Sequence, residues 1–249
     1  MRRFDCLLFD LGDTLIYFSG ENWERMLAES NRQLGRRLVE AGLQLDEEAF
    51  VAAFSHRMRQ YYAEREREFI EHTTAYILRS LLAEWGYPDP PDNLVRQAVQ
   101  AMYTSSQRYW QVENDTLPTL ETLRRQGYRL GIISNSADDH NTQSLIDAAG
   151  IREYFDFILS SSTAGIRKPN PRIFQMALEK MQVRPERTAM IGDVLGADVL
   201  GARNAGIFSI WITRRADKPG NRDHLDTIMP DATIETLSEL PDLLSSFQG

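Results

Sequence analysis

The pattern of hydrophobic and polar positions divides the chain into three regions. The first, at residues 6–9, is apolar at every position, as expected of a strand buried on both faces of a parallel sheet. From about residue 20 to about residue 110 the apolar residues recur at helical spacing and no strand pattern stands out. Beyond Asp115 short apolar runs alternate with helical segments. The pattern therefore predicts an α/β protein with a helical insertion after its first strand.

Four helices are predicted in the middle region. Trp23 begins the apolar face of the first, which ends near Gly42, and Asp46 caps the start of the second. The third is expected over residues 69–85 and the fourth over residues 93–109. Four helices of this length are sufficient for a small bundle with its own core.

The third region predicts a repeated strand–helix arrangement. Strands are expected at residues 129–133, 157–159, 189–191, 208–212 and 232–234, and helices at 117–126, 139–150, 170–181, 197–205 and from 237 onward. Right-handed crossovers would make this a doubly wound parallel sheet with helices on both faces. We assign residues 1–16 and 114–249 to this core and residues 17–113 to the inserted α-helical domain. The polar stretch 214–226 is expected to be an exposed loop.

Several of the predicted strands lead into residues with reactive side chains. These residues are Asp10 after the first strand, Ser134 and Asn135 after the second, Lys168 beyond the third, and Asp193 after the fourth, with Asp198 five positions later. The carboxyl ends of parallel strands share one edge of a sheet, where open α/β sheets bind their ligands. We therefore expect these carboxylates, the hydroxyl, the amide and the ammonium to form one site.

Composition narrows the range of possible functions. The chain has 249 residues and a formal net charge of −8, which argues against general nucleic-acid binding because phosphate contacts need a basic surface. Cys6 is the single cysteine, so no intrachain disulfide can form. No apolar run reaches membrane-spanning length, and we expect a cytoplasmic protein that does not bind membranes.

Four segments of the sequence resemble the motifs of the haloacid dehalogenase superfamily, in the same order along the chain. They are Phe9-Asp10-Leu11-Gly12-Asp13-Thr14-Leu15, Ile133-Ser134-Asn135, Lys168-Pro169-Asn170-Pro171 and Gly192-Asp193-Val194-Leu195-Gly196-Ala197-Asp198. The helical insertion after the first motif also resembles this family. The resemblance covers nearly the whole chain, and it implies a Rossmann-like core with a helical cap.

The resemblance implies hydrolysis of a small phosphate monoester. Asp10 would be the nucleophile that becomes an aspartyl phosphate, with Mg²⁺ held between Asp10, the main-chain carbonyl of Gly12, and Asp193. A divalent cation is needed there because a doubly anionic phosphate would repel a bare carboxylate. Lys168 would supply positive charge to the transferring group.

Supporting roles follow from the same resemblance. Ser134 and Asn135 would bind the phosphoryl group, Asp198 would brace Lys168 or a metal-bound water, and Thr14 would support the first motif. We expect a monomer or homodimer that acts on a small phosphorylated metabolite.

The aromatic residues of the cap helices should mostly belong to the hydrophobic core of the helical bundle, with one or two facing the catalytic edge of the sheet to select the substrate. These aromatic residues are Trp23, Tyr61, Tyr62 and Trp85.

One position departs from the phosphatase pattern. Phosphatases of the family usually carry a second Asp two residues after the nucleophile as the general acid and base, and here that position is Gly12. Asp13 follows it, and a turn at Gly12 could bring its carboxyl group to the leaving group. Two alternatives therefore stay open: a metal-independent 2-haloacid dehalogenase, in which Asp10 attacks carbon, and a weakly catalytic or non-catalytic binding protein of the same fold.

Overall fold

The core is a six-stranded parallel sheet in the order β5-β4-β1-β6-β7-β8. The structure is a computed structural model that describes residues 2–20 and 22–247. The six strands of this sheet are β1 (Cys6–Phe9), β4 (Arg129–Ser134), β5 (Phe157–Ser160), β6 (Thr188–Gly192), β7 (Phe208–Ile212) and β8 (Ala232–Ile234). A separate antiparallel ribbon joins β2 (Ile16–Phe18) to β3 (Trp110–Val112).

The helices fall into two groups along the chain. Four long helices lie between β2 and β3: α1 (Trp23–Glu40), α2 (Glu47–Glu68), α3 (Thr74–Glu84) and α4 (Asp92–Gln107). The others alternate with the strands of the core: α5 (Thr116–Arg125), α6 (Asp139–Ala148), α7 (Ser161–Ala164), α8 (Pro171–Met181), α9 (Leu200–Asn204), α10 (Pro219–Arg222) and α11 (Leu240–Ser246).

The first strand shows why the sheet forms. Leu7 and Phe9 belong to the apolar cluster on one face, which also contains residues of α5, α6 and α11. Cys6 and Leu8 belong to the cluster on the other face, with residues of α8 and α9. Every residue of β1 is therefore buried, as its uniformly apolar sequence predicts. The predicted doubly wound α/β fold is confirmed.

The four cap helices have a hydrophobic core of their own. Its buried members come from all four helices, for example Leu34, Phe54, Leu78 and Val95. Asp46 caps α2 by accepting from the amide of Ala49, as the sequence indicates. The exact boundary between core and cap, at residues 16–17 and 113–114, stays a prediction.

The structure corrects several local predictions. The third helix begins at Thr74, because Phe69 ends α2 in a left-handed conformation and Ile70 pairs with Ile166. The ribbon of β2 and β3 was not expected, since three-residue strands carry too few positions to show a periodicity. The predicted helix at 197–205 is a π-helical turn over Leu195–Val199 followed by α9.

No helix among the described residues is both long and apolar enough to cross a membrane.

Candidate active site

Two buried aspartates lie where the chain changes direction across the sheet. The chain passes from β1 to β4 and β5 on one side, then returns to β6, β7 and β8 on the other. This switch point lies between β1 and β6, and ligands bind at such points in open α/β sheets. Asp10 follows β1 and donates its amide to the carbonyl of Ile191 in β6 (2.9 Å), and Asp193 follows β6. The predicted pair is brought together.

Lys168 connects Asp10 to a third aspartate. Its Nζ donates to Oδ1 of Asp10 (2.6 Å) and to the carbonyl of Ile133 (2.7 Å), and lies 2.7 Å from Oδ1 of Asp198. The side chain is almost fully buried. Charge pairing without competing water makes this ammonium a fixed part of the site.

Asn135 holds the main chain of Lys168. Its Nδ2 donates to the Lys168 carbonyl (3.0 Å), and its Oδ1 accepts from the Lys168 amide (2.9 Å). Both ends of the amide are therefore engaged with the backbone of Lys168. This is a different role from the phosphate contact expected from the sequence. Ser134, at the end of β4, lines the same cavity as Asp10 and Lys168.

The turn after β6 needs a glycine. Asp198 lies in the π-helical turn, where its Oδ2 accepts from the amide of Val194 (3.0 Å). A Cβ at Gly192 would collide with the Asp198 carboxyl group. The Gly-Asp pair therefore allows Asp198 to fold back under the strand and meet Lys168.

Burial perturbs both carboxyl groups at the switch point. Burial raises the pKa of Asp10 to about 6, although Lys168 opposes this shift. Burial also raises the pKa of Asp193 to about 7, with Lys218 lowering it and Asp10 raising it. Ionised carboxylates without enough positive charge around them are costly in such a place.

The donor set fits a hard divalent cation. Asp10, Asp193 and Asp198 each offer a carboxylate oxygen, and these atoms lie within 4.8 Å of one another. Oxygen ligands of this kind are preferred by Mg²⁺, and a cation would stabilise the ionised forms of the two carboxyl groups whose pKa values burial raises. Thr14 donates to Oδ1 of Asp193 (3.2 Å), which orients that carboxylate.

Lys218 is a site residue that the sequence reasoning missed. Its Nζ donates to Oδ2 of Asp13 (2.8 Å) and also to Oδ2 of Asp193. Asn221 fastens the segment by donating to the Asp193 carbonyl (2.8 Å) and accepting from the amide of Leu195 (2.8 Å). The prediction of an exposed loop at 214–226 is therefore wrong for these residues, because their polar side chains are used to bind the motif after β6.

Two sequence signals could have indicated Lys218. The chain contains three lysines, at positions 168, 180 and 218, and both Lys168 and Lys218 precede a proline. The segment also follows β7, whose carboxyl end lies at the same sheet edge as those of β1 and β6. The rule that assigned Lys168 to the site applies equally to this loop.

The position that lacks the usual acid is covered by an aromatic ring. The indole of Trp110 lies 3.6 Å from the point where a Cβ of residue 12 would be. Asp13 adopts a left-handed conformation (φ 58°), and its carboxylate is paired with Lys218. Trp110 and Asp13 both line the same cavity as Asp10. Trp110 is a second residue that sequence reasoning did not select, since it lies in the short unpredicted ribbon.

The catalytic cavity has a volume of about 330 Å³ and is bounded by both core and cap. On the cap side, Glu66 pairs with Arg167 of the core (3.1 Å). Beside the cavity, buried Glu71 accepts from Ser161 (2.7 Å) and from Arg167 (3.3 Å). These contacts join the two parts of the chain next to Lys168.

Comparison with known proteins agrees with this geometry. A protein-family profile described as haloacid dehalogenase-like hydrolase matches residues 4–206. The chain belongs to the haloacid dehalogenase-like hydrolases. This hydrolase is 31% identical to a glyceraldehyde 3-phosphate phosphatase of Methanopyrus kandleri over 240 residues, which is 96% of each chain.

Solved structures of both catalytic types of the family resemble this hydrolase. A phosphatase of the family from Thermococcus onnurineus has 27% identity and a TM-score of 0.62, over 96% of this chain and 97% of its own. A 2-haloacid dehalogenase from Pseudomonas syringae has 25% identity and a TM-score of 0.70, over 98% of this chain and 100% of its own. The predicted family membership is confirmed, and the named phosphatase relatives support the phosphatase type.

Proposed function

We propose that this hydrolase removes the phosphoryl group from a small phosphate monoester, with Asp10 as the nucleophile. The observation that carries the proposal is the contact of Lys168 with both Asp10 and Asp198 beside Asp193. A carboxylate that attacks a dianionic ester needs positive charge on both sides of the phosphoryl group. The sheet edge supplies it through buried Lys168 and through an oxygen-lined cation site.

The chain's own residues have distinct tasks in the reaction. One carboxylate oxygen of Asp10 forms a bond to phosphorus in line with the ester oxygen, which leaves with the bonding electron pair. Water then hydrolyses the aspartyl phosphate and releases phosphate. Ser134 donates to the phosphoryl oxygens, and Lys168 balances their charge. Asn135 is a positioning residue, because it acts through the backbone of Lys168.

Mg²⁺ is the proposed cofactor, and Asp10, Asp193 and the carbonyl of Gly12 are its proposed ligands. When bound, the cation neutralises the phosphoryl group and orients it toward the nucleophile. Asp198 acts on Lys168, which it contacts directly, and Thr14 holds Asp193. The cytoplasmic location and the monomeric or homodimeric state stay predictions.

The test is phosphate release by wild-type protein and by Asp10→Asn. Asparagine keeps the size of the side chain but removes the nucleophilic carboxylate, so turnover should be lost while the circular dichroism spectrum and Tm stay close to wild type. EDTA should abolish turnover and excess Mg²⁺ should restore it. Full turnover by folded Asp10→Asn would refute the assignment of the nucleophile.

Measuring halide release beside phosphate release separates the alternative reactions. A metal-independent dehalogenase would release halide from 2-chloropropionate in the presence of EDTA. A binding protein of this fold would release neither phosphate nor halide. Halide release must be measured because a 2-haloacid dehalogenase has a similar structure and because position 12 is a glycine.

A further inference from the structure

A second cavity adjoins the catalytic one. It has a volume of about 590 Å³ and lies between cap helices α1, α2 and α4 and the core. Both cavities are lined by Trp110, Asn135, Ser136 and Asn141, so they meet at these side chains. Cavities of this size bind small molecules, and a substrate whose phosphoryl group lies at Asp10 would extend its other end into the second cavity.

Much of the second cavity's wall is aromatic or sulfur-containing. Trp23, Met26, Met58, Tyr62 and Met102 all line it, together with the aliphatic Leu27. Thioethers and ring edges make favourable contacts with aromatic rings, and methionine adapts to their shape. The lining also includes Glu24, Arg59 and Arg65, and the Arg65 guanidinium lies over the Tyr62 ring (4.3 Å).

Phe18, Trp23 and Trp110 form an aromatic group outside the buried core of the cap. Trp23 is 46% exposed and meets Trp110 edge to face, with ring centroids 6.3 Å apart. Phe18 contacts Trp23 in the same geometry at 4.9 Å. A half-exposed tryptophan that lines a cavity is suited to binding an aromatic ring.

Among the described residues that line the catalytic cavity, every carboxyl group is paired with a basic side chain. Four carboxyl groups line it, and each faces a basic side chain: Asp10 and Asp198 meet Lys168, Asp13 meets Lys218, and Glu66 meets Arg167. Donation of a proton by any of these groups would require breaking an ion pair. At position 12, where the family's phosphatases usually carry an acid, Trp110 covers a glycine.

We propose that the substrate is an aryl phosphate, a monoester whose leaving group is a phenol-type hydroxyl on an aromatic ring. This inference rests on the proposed phosphatase activity. The ring lies in the second cavity against Trp23 and Trp110, and the phosphoryl group lies at Asp10. The bond from phosphorus to the aryl oxygen breaks, its electron pair leaves as phenolate, and the phenolate takes its proton from solvent. Phenolates leave without prior protonation far more readily than alkoxides do, so the missing acid and the aromatic cavity select the same substrates.

The first test measures phosphate release from matched esters with Mg²⁺ present. A series of substituted phenyl phosphates and 1-naphthyl phosphate is compared with ethyl phosphate and glycerol 3-phosphate. We expect kcat/KM for the aryl esters to exceed that for the alkyl esters by about 10²-fold or more, the contribution that a positioned acid would otherwise make. Among the phenyl esters, kcat/KM should fall as the pKa of the leaving phenol rises. Equal or faster hydrolysis of the alkyl esters overturns the inference, whereas failure with every ester overturns the proposed function itself.

The second test alters the aromatic wall. Trp23→Ala should raise KM for 1-naphthyl phosphate about tenfold, because a stacked aromatic contact and its buried area are lost. KM for ethyl phosphate should stay unchanged. Tyr76→Ala is the matched control, since Tyr76 is an exposed aromatic residue on α3 that is outside both cavities. An unchanged KM ratio in Trp23→Ala overturns the assignment of the second cavity.

The third test restores the acid. A Cβ at position 12 lies at ordinary contact distance from Trp110, so Gly12→Asp has room at least for its first carbon. This variant should raise the ratio of the ethyl phosphate rate to the phenyl phosphate rate about 10²-fold over wild type. Glu66→Gln, which removes the acidic residue from the cap side, should change the alkyl and aryl rates by the same factor. A selective loss of alkyl hydrolysis in Glu66→Gln identifies an acid in the cap and overturns the inference. If Gly12→Asp does not fold, the leaving-group series decides alone.

Discussion

Replacement of Lys218 by methionine would remove the ammonium that lies between Asp13 and Asp193. Methionine keeps most of the length of the side chain, so the change is chiefly one of charge. Asp193 is buried and loses the largest influence that lowers its pKa. Lys168 would remain as the buried cation beside Asp10 and Asp198. We expect the metal-free protein to lose stability.

The magnitude follows from the burial of the partners. Breaking a fully buried ion pair by removing one member costs about 3–5 kcal/mol. The Asp193 side chain is 1% exposed and that of Lys218 is 27% exposed, so we take the lower end, about 3 kcal/mol. For a chain of this length each kcal/mol lowers Tm by about 2–4 °C. The variant should therefore melt about 6–12 °C below wild type in EDTA once the pH is high enough to ionise Asp193 in both proteins.

The loss should depend on pH in a defined direction. The pKa of Asp193 in the folded protein, about 7, is higher than its ordinary value of 3.8. The folded state thus binds this proton more tightly, and the carboxyl group's contribution to stability falls as pH rises from about 4 to 7. Removing Lys218 raises that pKa further, which extends the fall to higher pH. The difference between variant and wild type should be small at pH 5 and should grow as pH rises above about 7.

Thermal unfolding followed by circular dichroism at pH 5 and pH 8, with EDTA or with excess Mg²⁺, measures these effects. Mg²⁺ should raise the Tm of the variant more than that of wild type, because Lys218 no longer competes for Asp193. Lys180→Met is the control, since Lys180 is exposed on α8. Equal Tm values for Lys218→Met and wild type in EDTA at pH 8 would refute the reasoning.

Two further predictions concern packing around the site. Glu71→Ala should cost about 3–5 kcal/mol in urea unfolding, because it leaves buried Arg167 without its innermost partner. Glu68→Ala, at an exposed position of α2, should change stability little, and equal losses in the two variants would count against this account. Gly192→Ala should cost about 1–3 kcal/mol and lower phosphate release, because the added methyl group displaces Asp198. Unchanged unfolding and activity in that variant would contradict the proposed close packing.

Much of the α/β core could be predicted from the sequence because each buried strand is indicated by a few neighbouring apolar residues. A strand buried on both faces reads as a continuous apolar run, and the residue that follows it lies at the sheet edge whatever the rest of the chain does. Asp10, Lys168 and Asp193 were assigned in this way, and the structure brings them together. The helices of the cap were readable for a similar reason, since their apolar spacing persists over several turns.

The sequence-based predictions were wrong where no hydrophobic periodicity marked the structure. The ends of helices shift by several residues, as at Thr74, because capping and tertiary contacts outweigh propensity there. Asn135 was assigned by residue type to the phosphoryl group, but its two hydrogen bonds go to the backbone of Lys168. Residue type indicates what a side chain can bind, while packing decides which partner it meets.

The sequence by itself determined the alternating core, the inserted helices and the order of acidic and basic residues along one sheet edge. Tertiary structure alone decided that Lys218 contacts Asp193, that Trp110 covers Gly12, and that a second cavity lined partly by aromatic residues adjoins the first. The physical reason is that periodic burial is encoded over a few neighbouring residues. The direction of a loop side chain, by contrast, depends on surfaces formed by other segments of the chain, as when Lys218 meets Asp13, 205 residues earlier.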